Sequence, residues 1–247
     1  MTGSPAYLIV AATSGIGAAL ARRLAAAGAV LTLTGRDEVK VSALAAELGA
    51  VPVVLDATDF DAVDRAVRAA SDRTGRLDGV ACCAGSLLLK PAHLTRAEEY
   101  QAIIAASLTT AFAVTRAATR ALGDGGGGSL VLVASAAAQT GLANHEAIAA
   151  AKAGVIGLAR SAAATYAPRR VRVNCVAPGL VRTPLTARIT ASPAGEQASL
   201  AMHALGRLGE ADDVASAMAW LLDPGNDWVT GQVLGVDGGL GQLRARG

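Results

Sequence analysis

The sequence of 247 residues contains few cysteines, few aromatic residues and only three lysines. The cysteines, Cys82, Cys83 and Cys175, lie in apolar segments and are too few for a disulfide framework. No spacing of His and Cys fits a metal site, since two adjacent cysteines cannot chelate an ion as a Cys-x-x-Cys pair does. We therefore expect a reduced, cytoplasmic protein that holds no metal.

Long uncharged apolar runs are also absent, although 52% of the residues are hydrophobic. No stretch of about 20 apolar residues is free of charge, which predicts that the chain has no transmembrane helix. The first residues do not combine a basic segment with an apolar one, so no secretory signal is predicted. We expect no membrane partner.

Charge of one sign is not in excess, because the net charge is +2 and only 17% of the residues are charged. The densest basic cluster consists of Arg169, Arg170 and Arg172. Nucleic-acid binding requires a broader basic patch with aromatic residues beside it. We interpret the cluster as a solvated turn and predict no nucleic-acid partner.

The chain does contain an alternation of short apolar runs and longer helical patterns. The predicted strands are Tyr7–Ala11, Val30–Thr34, Val51–Leu55, Gly79–Cys83, Ser129–Ala134, Val171–Val176 and Gln232–Val236. The predicted helices are Gly15–Ala27, Asp37–Leu48, Asp59–Arg73, Thr95–Ala121, Glu146–Tyr166 and Ala211–Leu222. Continuous apolar strands are typical of parallel sheets covered on both faces. The pattern predicts a single α/β domain over residues 1–247, a Rossmann-type doubly wound sheet of about seven parallel strands with helices on both faces.

The position of a ligand site follows from this topology. Open parallel sheets bind ligands beyond the carboxyl ends of their strands, where the strand order reverses. We therefore expect a site built from the loops after the first, fourth, fifth and sixth strands. Residues 183–208 contain no clear strand, and we predict that they form a mobile lid. Together with Ser86–Lys90 and Ala136–Asn144 they would line a mainly apolar pocket, which indicates a small, non-ionic substrate.

A glycine motif joins the first strand to the first helix. The segment reads Ala11-Ala12-Thr13-Ser14-Gly15-Ile16-Gly17. Glycines at the start of a helix let an anion approach the backbone, and the exposed N–H groups and the positive helix end favour negative charge. A tight helix entry explains two glycines equally well, but their place after a strand and before an Ala-rich helix favours a pyrophosphate site.

Val10–Gly17 resembles the Thr-Gly-x-x-x-Gly-Ile-Gly signature of the short-chain dehydrogenase/reductase family. Further segments resemble the family in the same order along nearly the whole chain: Asp56 after the third strand, Cys82–Gly85 in place of Asn-Asn-Ala-Gly, Arg172–Gly179 with Thr183-Pro184, Gly206–Gly209, and Gly231–Gly239. The resemblance implies a nicotinamide dinucleotide as cofactor and hydride transfer as the reaction. The cofactor contacts that it implies are Ala11, Ser14, Gly15, Ile16, Gly17, Arg36, Asp56, Ala57, Cys83, Ala84, Gly85, Lys152, Pro178, Gly179, Val181 and Thr183.

Two departures from the family pattern affect the cofactor site. Val10 and Ala11 stand where the family has Thr and Gly, and alanine at a positive φ would cost about 1 kcal/mol. We therefore expect a modest rearrangement of the turn, with dinucleotide binding retained. Cys83 replaces an Asn that ties neighbouring strands in the family, and we interpret it as a small core residue rather than a reactive thiol.

The residue that ends the second strand selects between NAD(H) and NADP(H). An acidic side chain there would bond the ribose 2′-hydroxyl and repel a 2′-phosphate. Gly35 leaves room at this position, and the guanidinium of Arg36 matches phosphate geometry. We predict a preference for NADP(H), with NAD(H) as the alternative and a solvated Arg36 as the alternative interpretation of that residue.

The catalytic set that the resemblance implies is incomplete. The family uses a Tyr four residues before a Lys on one helix, a Ser thirteen residues before the Tyr, and an Asn that holds a water relay. Lys152 and Ser135 match, whereas Ile148 stands at the Tyr position and Ser107 at the Asn position. Isoleucine has no ionisable group, and the loss of one general acid typically costs about 10²- to 10⁴-fold in rate.

His145 is the candidate substitute for the missing acid. It lies three residues before Ile148 on the same predicted helix, and an imidazole titrates near neutrality. The alternative is an exposed residue at the helix start, with Asn144 as the cap. His93 and His203 are interpreted as surface or lid residues, and His203 would contact a substrate if the lid closes.

Three functions remain open at this point. The first is an NADP(H)-dependent oxidoreductase that transfers hydride to or from a small carbonyl, alcohol or activated alkene. The second is a nucleotide-binding pseudoenzyme that acts as a sensor or assembly partner. The third is a lyase or isomerase step on the same scaffold, because the fold does not determine the chemistry. The resemblance also implies a homotetramer or homodimer.

Overall fold

The computed structural model describes residues 3–243. Its strands are β1 (Ala6–Val10), β2 (Val30–Gly35), β3 (Val51–Val54), β4 (Gly79–Cys82), β5 (Gly128–Val133), β6 (Val171–Pro178), β7 (Val181–Arg182), β8 (Gly209–Glu210) and β9 (Val233–Val236). Its helices are α1 (Gly15–Ala26), α2 (Glu38–Leu48), α3 (Phe60–Thr74), α4 (Ala97–Ile104), α5 (Thr110–Asp124), α6 (Glu146–Tyr166), α7 (Ala187–Thr190), α8 (Pro193–Met202) and α9 (Ala211–Leu222).

Seven parallel strands form one sheet in the order β3-β2-β1-β4-β5-β6-β9. The order reverses between β1 and β4, which are paired so that Ile9 lies beside Ala81. The predicted doubly wound fold is therefore confirmed. All five residues of β1 and all eight of β6 are buried, as the continuous apolar runs predict for strands covered on both faces.

Two apolar layers enclose the sheet. One consists of β-strand side chains packed against α3, α5 and α6, and the other of side chains packed against α1, α2 and α9. The residues of β1 alternate between them, since Leu8 and Val10 belong to the first layer and Tyr7 and Ile9 to the second. β1 is therefore covered on both faces, and its pairing with β2 on one side and β4 on the other places its carboxyl end at the reversal point.

The predicted strand bounds agree with the structure to within two residues. Three features were not predicted. The predicted lid contains the helices α7 and α8. β7 and β8 pair as a separate two-stranded sheet, and the long helix predicted over Thr95–Ala121 begins at Ala97, contains a π-helical turn over Ala105–Thr109 and ends at Asp124. A π-turn has no periodic sequence signal, because it shifts the helical register by a single residue.

The interpretation of Arg169, Arg170 and Arg172 as a solvated turn is wrong for the third residue. Arg172 is buried, and its guanidinium donates to the carbonyl oxygens of Leu221 at 2.9 Å and Asp223 at 3.1 Å. Burial lowers its pKa, although Asp227 and Asp223 act in the opposite direction. Arg172 therefore ties β6 to the end of α9.

Two helical stretches, Ala97–Asp124 and Glu146–Arg169, have the length and mean hydropathy of membrane spans. About half of each is buried inside the protein, against the sheet. These helices do not meet the sequence criterion of an uncharged run, because each one contains charged residues. Their packing in the apolar layer of the fold accounts for their composition.

Two glycines within α6 are expected to respond oppositely to alanine. A Cβ at Gly157 meets nothing within 4 Å, so Gly157→Ala should stabilise the protein by about 0.5–1 kcal/mol through backbone entropy. A Cβ at Gly154 would lie 2.9 Å from Leu108 Cδ2, so crowding should cancel this gain and destabilise by about 1 kcal/mol. Urea unfolding of both variants measures the difference, and equal effects would contradict the predicted α6–Leu108 packing.

Candidate active site

The turn after β1 keeps a left-handed residue even though no glycine is available there. Ala11 has φ 57°, so the predicted rearrangement of the turn is wrong. The Ala12 N–H donates to the carbonyl oxygen of Thr34 at 2.8 Å, and the Ser14 hydroxyl caps α1 by accepting from the Gly17 N–H at 3.1 Å. These bonds hold the turn in place, and Ala11 bears a strain of about 1 kcal/mol.

The two glycines of the motif are required by close packing. A Cβ at Gly17 would lie 2.5 Å from the carbonyl oxygen of Ala11, and a Cβ at Gly15 would lie 2.6 Å from Thr183 Cγ2. Gly15 therefore brings the start of α1 against the segment that follows β7. The backbone N–H groups of this first turn point to the end of the sheet at which the strand order reverses.

A cleft of about 600 Å³ lies at this end of the sheet. It is bounded by the loops after β1, β4, β5 and β6 and by α7 and α8. Its lining includes Thr13–Ile16, Cys83–Leu87, Leu89, Val133–Ala137, Leu142, His145, Ile148, Lys152, Pro178–Val181, Thr183–Thr186, Ile189, Ser199, Met202, His203 and Leu240. These side chains are mainly apolar, and none of them is an Asp or Glu.

Lys152 reaches the cleft from α6. It is 5% exposed, and its Nζ donates to the carbonyl oxygens of Val133 at 2.7 Å and Ala84 at 3.4 Å. Burial lowers the pKa of Lys152, while the nearby thiols of Cys82, Cys175 and Cys83 act in the opposite direction. Within residues 3–243 no carboxylate pairs with Nζ.

Ser135 and Ile148 face the same cleft. The Ser135 hydroxyl oxygen accepts from the Ala137 N–H at 3.2 Å, which leaves the hydroxyl hydrogen free to donate to a ligand. Ile148 is buried one helical turn before Lys152 and packs with Ile103 and Leu88. The position that would carry a phenol therefore holds an apolar wall.

His145 lies at the mouth of the cleft, directly before α6. Its Nδ1 is 2.7 Å from the carbonyl oxygen of Ala143, a contact that assigns the proton to Nδ1 and leaves Nε2 available. The expectation that Asn144 caps the helix is wrong, because Asn144 has φ 63° and His145 occupies the cap position without a side-chain bond.

Other predicted site residues lie outside the cleft lining. Ser107 is buried inside the π-turn, and its Oγ has no hydrogen-bond partner among the described residues. Ala11, Gly17 and Ala57 are not among the residues that line the cleft. Arg36 is also outside the lining and is exposed after β2. Asp56 accepts from the Thr58 N–H and hydroxyl at 2.9 and 2.8 Å, and these bonds lower its pKa. Cys83, by contrast, lines the cleft, and its thiol is buried, as expected for a core residue; burial raises its pKa.

His203 belongs to the predicted lid and lines the cleft. It is buried at the end of α8, where its Nε2 accepts from the Leu180 N–H at 3.1 Å and its Nδ1 donates to the Ser199 carbonyl oxygen at 2.6 Å. A Cβ at Gly179 would lie 2.6 Å from Nε2, so the missing side chain makes room for the imidazole. Leu180 and Leu240 also line the cleft and were not predicted from the sequence, because a lone leucine has no spacing signal.

Comparison with known proteins identifies the family. The model of a family described as enoyl-(acyl carrier protein) reductase matches residues 10–241. A cis-4-hydroxycyclohexanecarboxylate dehydrogenase from Sinomonas cyclohexanicum is 38% identical over 238 residues, which cover 94% of each chain. The 3-oxoacyl-(acyl-carrier-protein) reductase MabA of Mycobacterium tuberculosis is 34% identical over 240 residues, covering 96% of this chain and 93% of MabA.

Solved structures agree with this result. A short-chain type dehydrogenase/reductase from Mycobacterium ulcerans superposes with a TM-score of 0.94 at 34% identity, covering 98% of this chain and 91% of that chain. ElxO with NADP bound superposes with a TM-score of 0.90 at 25% identity, covering 96% and 98% of the two chains. The fold, the motifs and the length of the matches lead to one conclusion: the chain belongs to the short-chain dehydrogenase/reductase family of oxidoreductases.

Proposed function

We propose that the protein is an NADP(H)-dependent oxidoreductase that transfers hydride to or from a small apolar carbonyl, alcohol or activated alkene. The observation that carries the proposal is the buried Lys152, whose Nζ faces an apolar cleft closed at its other end by the glycine turn of α1. A lysine costs free energy to bury, so its retention without a carboxylate partner favours a ligand contact.

The residues present fit a nicotinamide dinucleotide. The first turn of α1, with Ser14, Gly15 and Ile16, would take the pyrophosphate, and Lys152 Nζ would donate a third hydrogen to the ribose beside the nicotinamide. Pro178, Gly179 and Thr183 line the part of the cleft where the ring would lie. The nicotinamide ring supplies or accepts the hydride when it is bound.

Arg36 supports the preference for NADP(H) over NAD(H). It follows Gly35 at the end of β2 and is exposed there, so its guanidinium is available for a 2′-phosphate. ElxO, a structural relative, has been solved with NADP bound. We expect Arg36→Glu to weaken NADPH binding by at least about tenfold and NADH binding by much less.

The control for this substitution is Arg68→Glu, which makes the same charge change on the exposed face of α3. Fluorescence titration of both variants with NADPH and NADH gives the four dissociation constants. Equal losses in the two variants would remove Arg36 from the cofactor site.

The proton step would use the groups around the cleft. Ser135 has a free hydroxyl hydrogen to orient a substrate oxygen, and His145 has an unengaged Nε2 on the side of the cleft next to Ile148. The test mixes the protein and NADPH with ketones, enones and quinones and follows the nicotinamide absorbance. Turnover that falls in His145→Ala would support His145 as the acid, and unchanged kinetics would remove it.

One observation favours a second candidate, a nucleotide-binding pseudoenzyme. Ile148 fills the general-acid position with a buried apolar side chain. A Tyr-to-Phe variant of ElxO has been solved with NADPH bound, so in that protein the coenzyme site is kept without the phenol. Tight NADPH binding with no turnover of any substrate in the panel would favour this candidate.

Residues 183–208 are proposed as the substrate lid, since α7 and α8 carry Ile189, Ser199 and Met202 to the cleft.

A homotetramer or homodimer is also proposed, because the apolar side chains of Tyr100 and Phe112, on α4 and α5, are exposed and available for a subunit interface. The three free buried cysteines suit a reducing, cytoplasmic compartment.

A further inference from the structure

The three lysines of the chain differ in their surroundings. Lys40 Nζ is 3.0 Å from Asp37 Oδ2, and Lys90 Nζ is 2.8 Å from Glu99 Oε2. The side chains of Lys40 and Lys90 are 70% and 30% exposed, whereas Lys152 is 5% exposed and faces no carboxylate within residues 3–243. A carboxylate partner stabilises the ammonium form of a lysine. Lys40 and Lys90 have this stabilisation, and Lys152 does not.

The hydrogen bonds of Lys152 leave one position of Nζ unused. Two backbone carbonyls, those of Val133 and Ala84, accept from Nζ, whereas an –NH₃⁺ group has three hydrogens and an –NH₂ group has two hydrogens and one lone pair. The unused position is a hydrogen in the charged form and the lone pair in the neutral form. Gly85 lies on the cleft wall beside Nζ, and a Cβ there would approach Nζ to 3.1 Å. The absence of that side chain leaves the amine open to the cleft.

Among the described residues, no anionic group lies beside Nζ to stabilise its ammonium form. Burial raises the pKa of the Cys82 thiol and raises that of Cys175 to about 12, so both are uncharged at neutral pH. Besides Lys152, the titratable side chains of the cleft lining are Cys83, His145 and His203. Ile148, one turn before Lys152, adds an apolar wall at the place where the family carries a phenol. Burial without a carboxylate partner lowers the pKa of Lys152, so more of its amine is neutral and nucleophilic at a given pH than in an exposed or ion-paired lysine.

We propose that Lys152 captures aldehydes as imines when the coenzyme is absent. The lone pair of Nζ adds to the carbonyl carbon, a C–N bond forms, and the carbonyl oxygen takes a proton from the amine to give a carbinolamine. Loss of water from the carbinolamine yields the imine, with no change in oxidation state. The apolar cleft selects uncharged aldehydes, and the adduct excludes the coenzyme because both require Nζ.

The test uses the full protein without coenzyme, with benzaldehyde as the probe and cyanoborohydride to reduce any imine to a stable benzylamine. Intact mass counts the benzyl groups, and peptide mapping assigns them to lysines. We expect Lys152 to be labelled at least about tenfold faster at pH 7 than Lys40 and Lys90, the ion-paired lysines of the same chain. Labelling of Lys152 at or below their rate would overturn the proposal.

Two variants sharpen the result. Ile148→Glu places a carboxylate one turn from Nζ and should suppress the labelling of Lys152, whereas Ile148→Gln, of the same shape and without charge, should retain most of it. Equal labelling in two folded variants would contradict the role assigned to the neutral amine. Circular dichroism establishes the folding, and the comparison among the three lysines needs no variant.

Labelling with and without NADPH distinguishes a failure of imine formation from a failure of the proposed coenzyme site. Saturating NADPH should protect Lys152 and leave Lys40 and Lys90 unchanged. Fast labelling of Lys152 without NADPH protection would support imine formation and count against the coenzyme site. Tight NADPH binding together with slow labelling would support the coenzyme site and reject imine formation.

Discussion

Ile148→Tyr is expected to raise the rate of NADPH-dependent carbonyl reduction by about 10²- to 10⁴-fold, the typical contribution of one positioned general acid. The phenol would lie on the face of α6 that carries Lys152 one turn later. The positive charge of a coenzyme-bound Lys152 would lower the pKa of the phenol towards the working pH. Ser135 already offers a free hydroxyl hydrogen in the same cleft.

The substitution has a cost in packing. Ile148 contacts Ile103 and Leu88, and a larger side chain there should destabilise the protein by about 1–3 kcal/mol. Rates are therefore compared per folded molecule, after thermal unfolding of each variant. The matched control is Ile148→Phe, which has the same ring without the hydroxyl and should remain as slow as the parent.

The outcomes separate two explanations. Activity in Ile148→Tyr alone assigns the gain to the hydroxyl. Equal activity in both variants would assign it to the shape of the ring, and the absence of a gain in either would mean that the cleft no longer places a carbonyl near the position of a phenol.

Gly17→Ala is expected to cost at least tenfold in NADPH affinity and about 1–3 kcal/mol in stability, because it crowds the glycine turn. The new Cβ would lie 2.5 Å from the Ala11 carbonyl oxygen and 2.9 Å from Ala12 Cα, which are backbone atoms that cannot rotate away. Isothermal titration with NADPH and urea unfolding measure the two effects. Gly157→Ala, on open space in α6, is the control and should show neither loss.

A second substitution tests the cause. Ala11→Gly alone should stabilise the protein by about 0.5–1 kcal/mol, since it relieves the φ of 57° at Ala11. Combined with Gly17→Ala, it should recover more than this amount, because glycine lets the Ala11 carbonyl move away from the new methyl. A double-mutant cycle gives the coupling energy, and strictly additive effects would contradict the predicted contact.

The sequence predicts the sheet well because its inner strands, such as β1, β4 and β6, are buried on both faces. A run such as Leu8-Ile9-Val10 has no polar position, so apolar continuity marks the strand and its bounds within two residues. The site loops follow from the topology of the sheet, and motif matches locate Lys152 and Gly15 in sequence. These features depend on local composition or on fixed spacing.

The missed features depend on contacts between distant segments. Arg172 is buried because the carbonyls at the end of α9 accept hydrogen bonds from its guanidinium. No local sequence pattern indicates that these two segments are in contact. His203 is buried because two glycines, Gly179 and Gly238, leave room for its ring. Ala11 keeps its left-handed conformation because the hydrogen bonds of the turn outweigh a strain of about 1 kcal/mol.

The contact between Gly15 and Thr183 links the two halves of the cleft. The Thr183 methyl occupies the space that a side chain at Gly15 would need, so the start of α1 and the segment before α7 pack directly against each other. A ligand that pushes one of these segments towards the other would meet steric resistance from the second segment. Any factor by which a ligand at the α1 turn changes the affinity for a second ligand beside Thr183 must, by thermodynamic reciprocity, apply equally in the opposite direction.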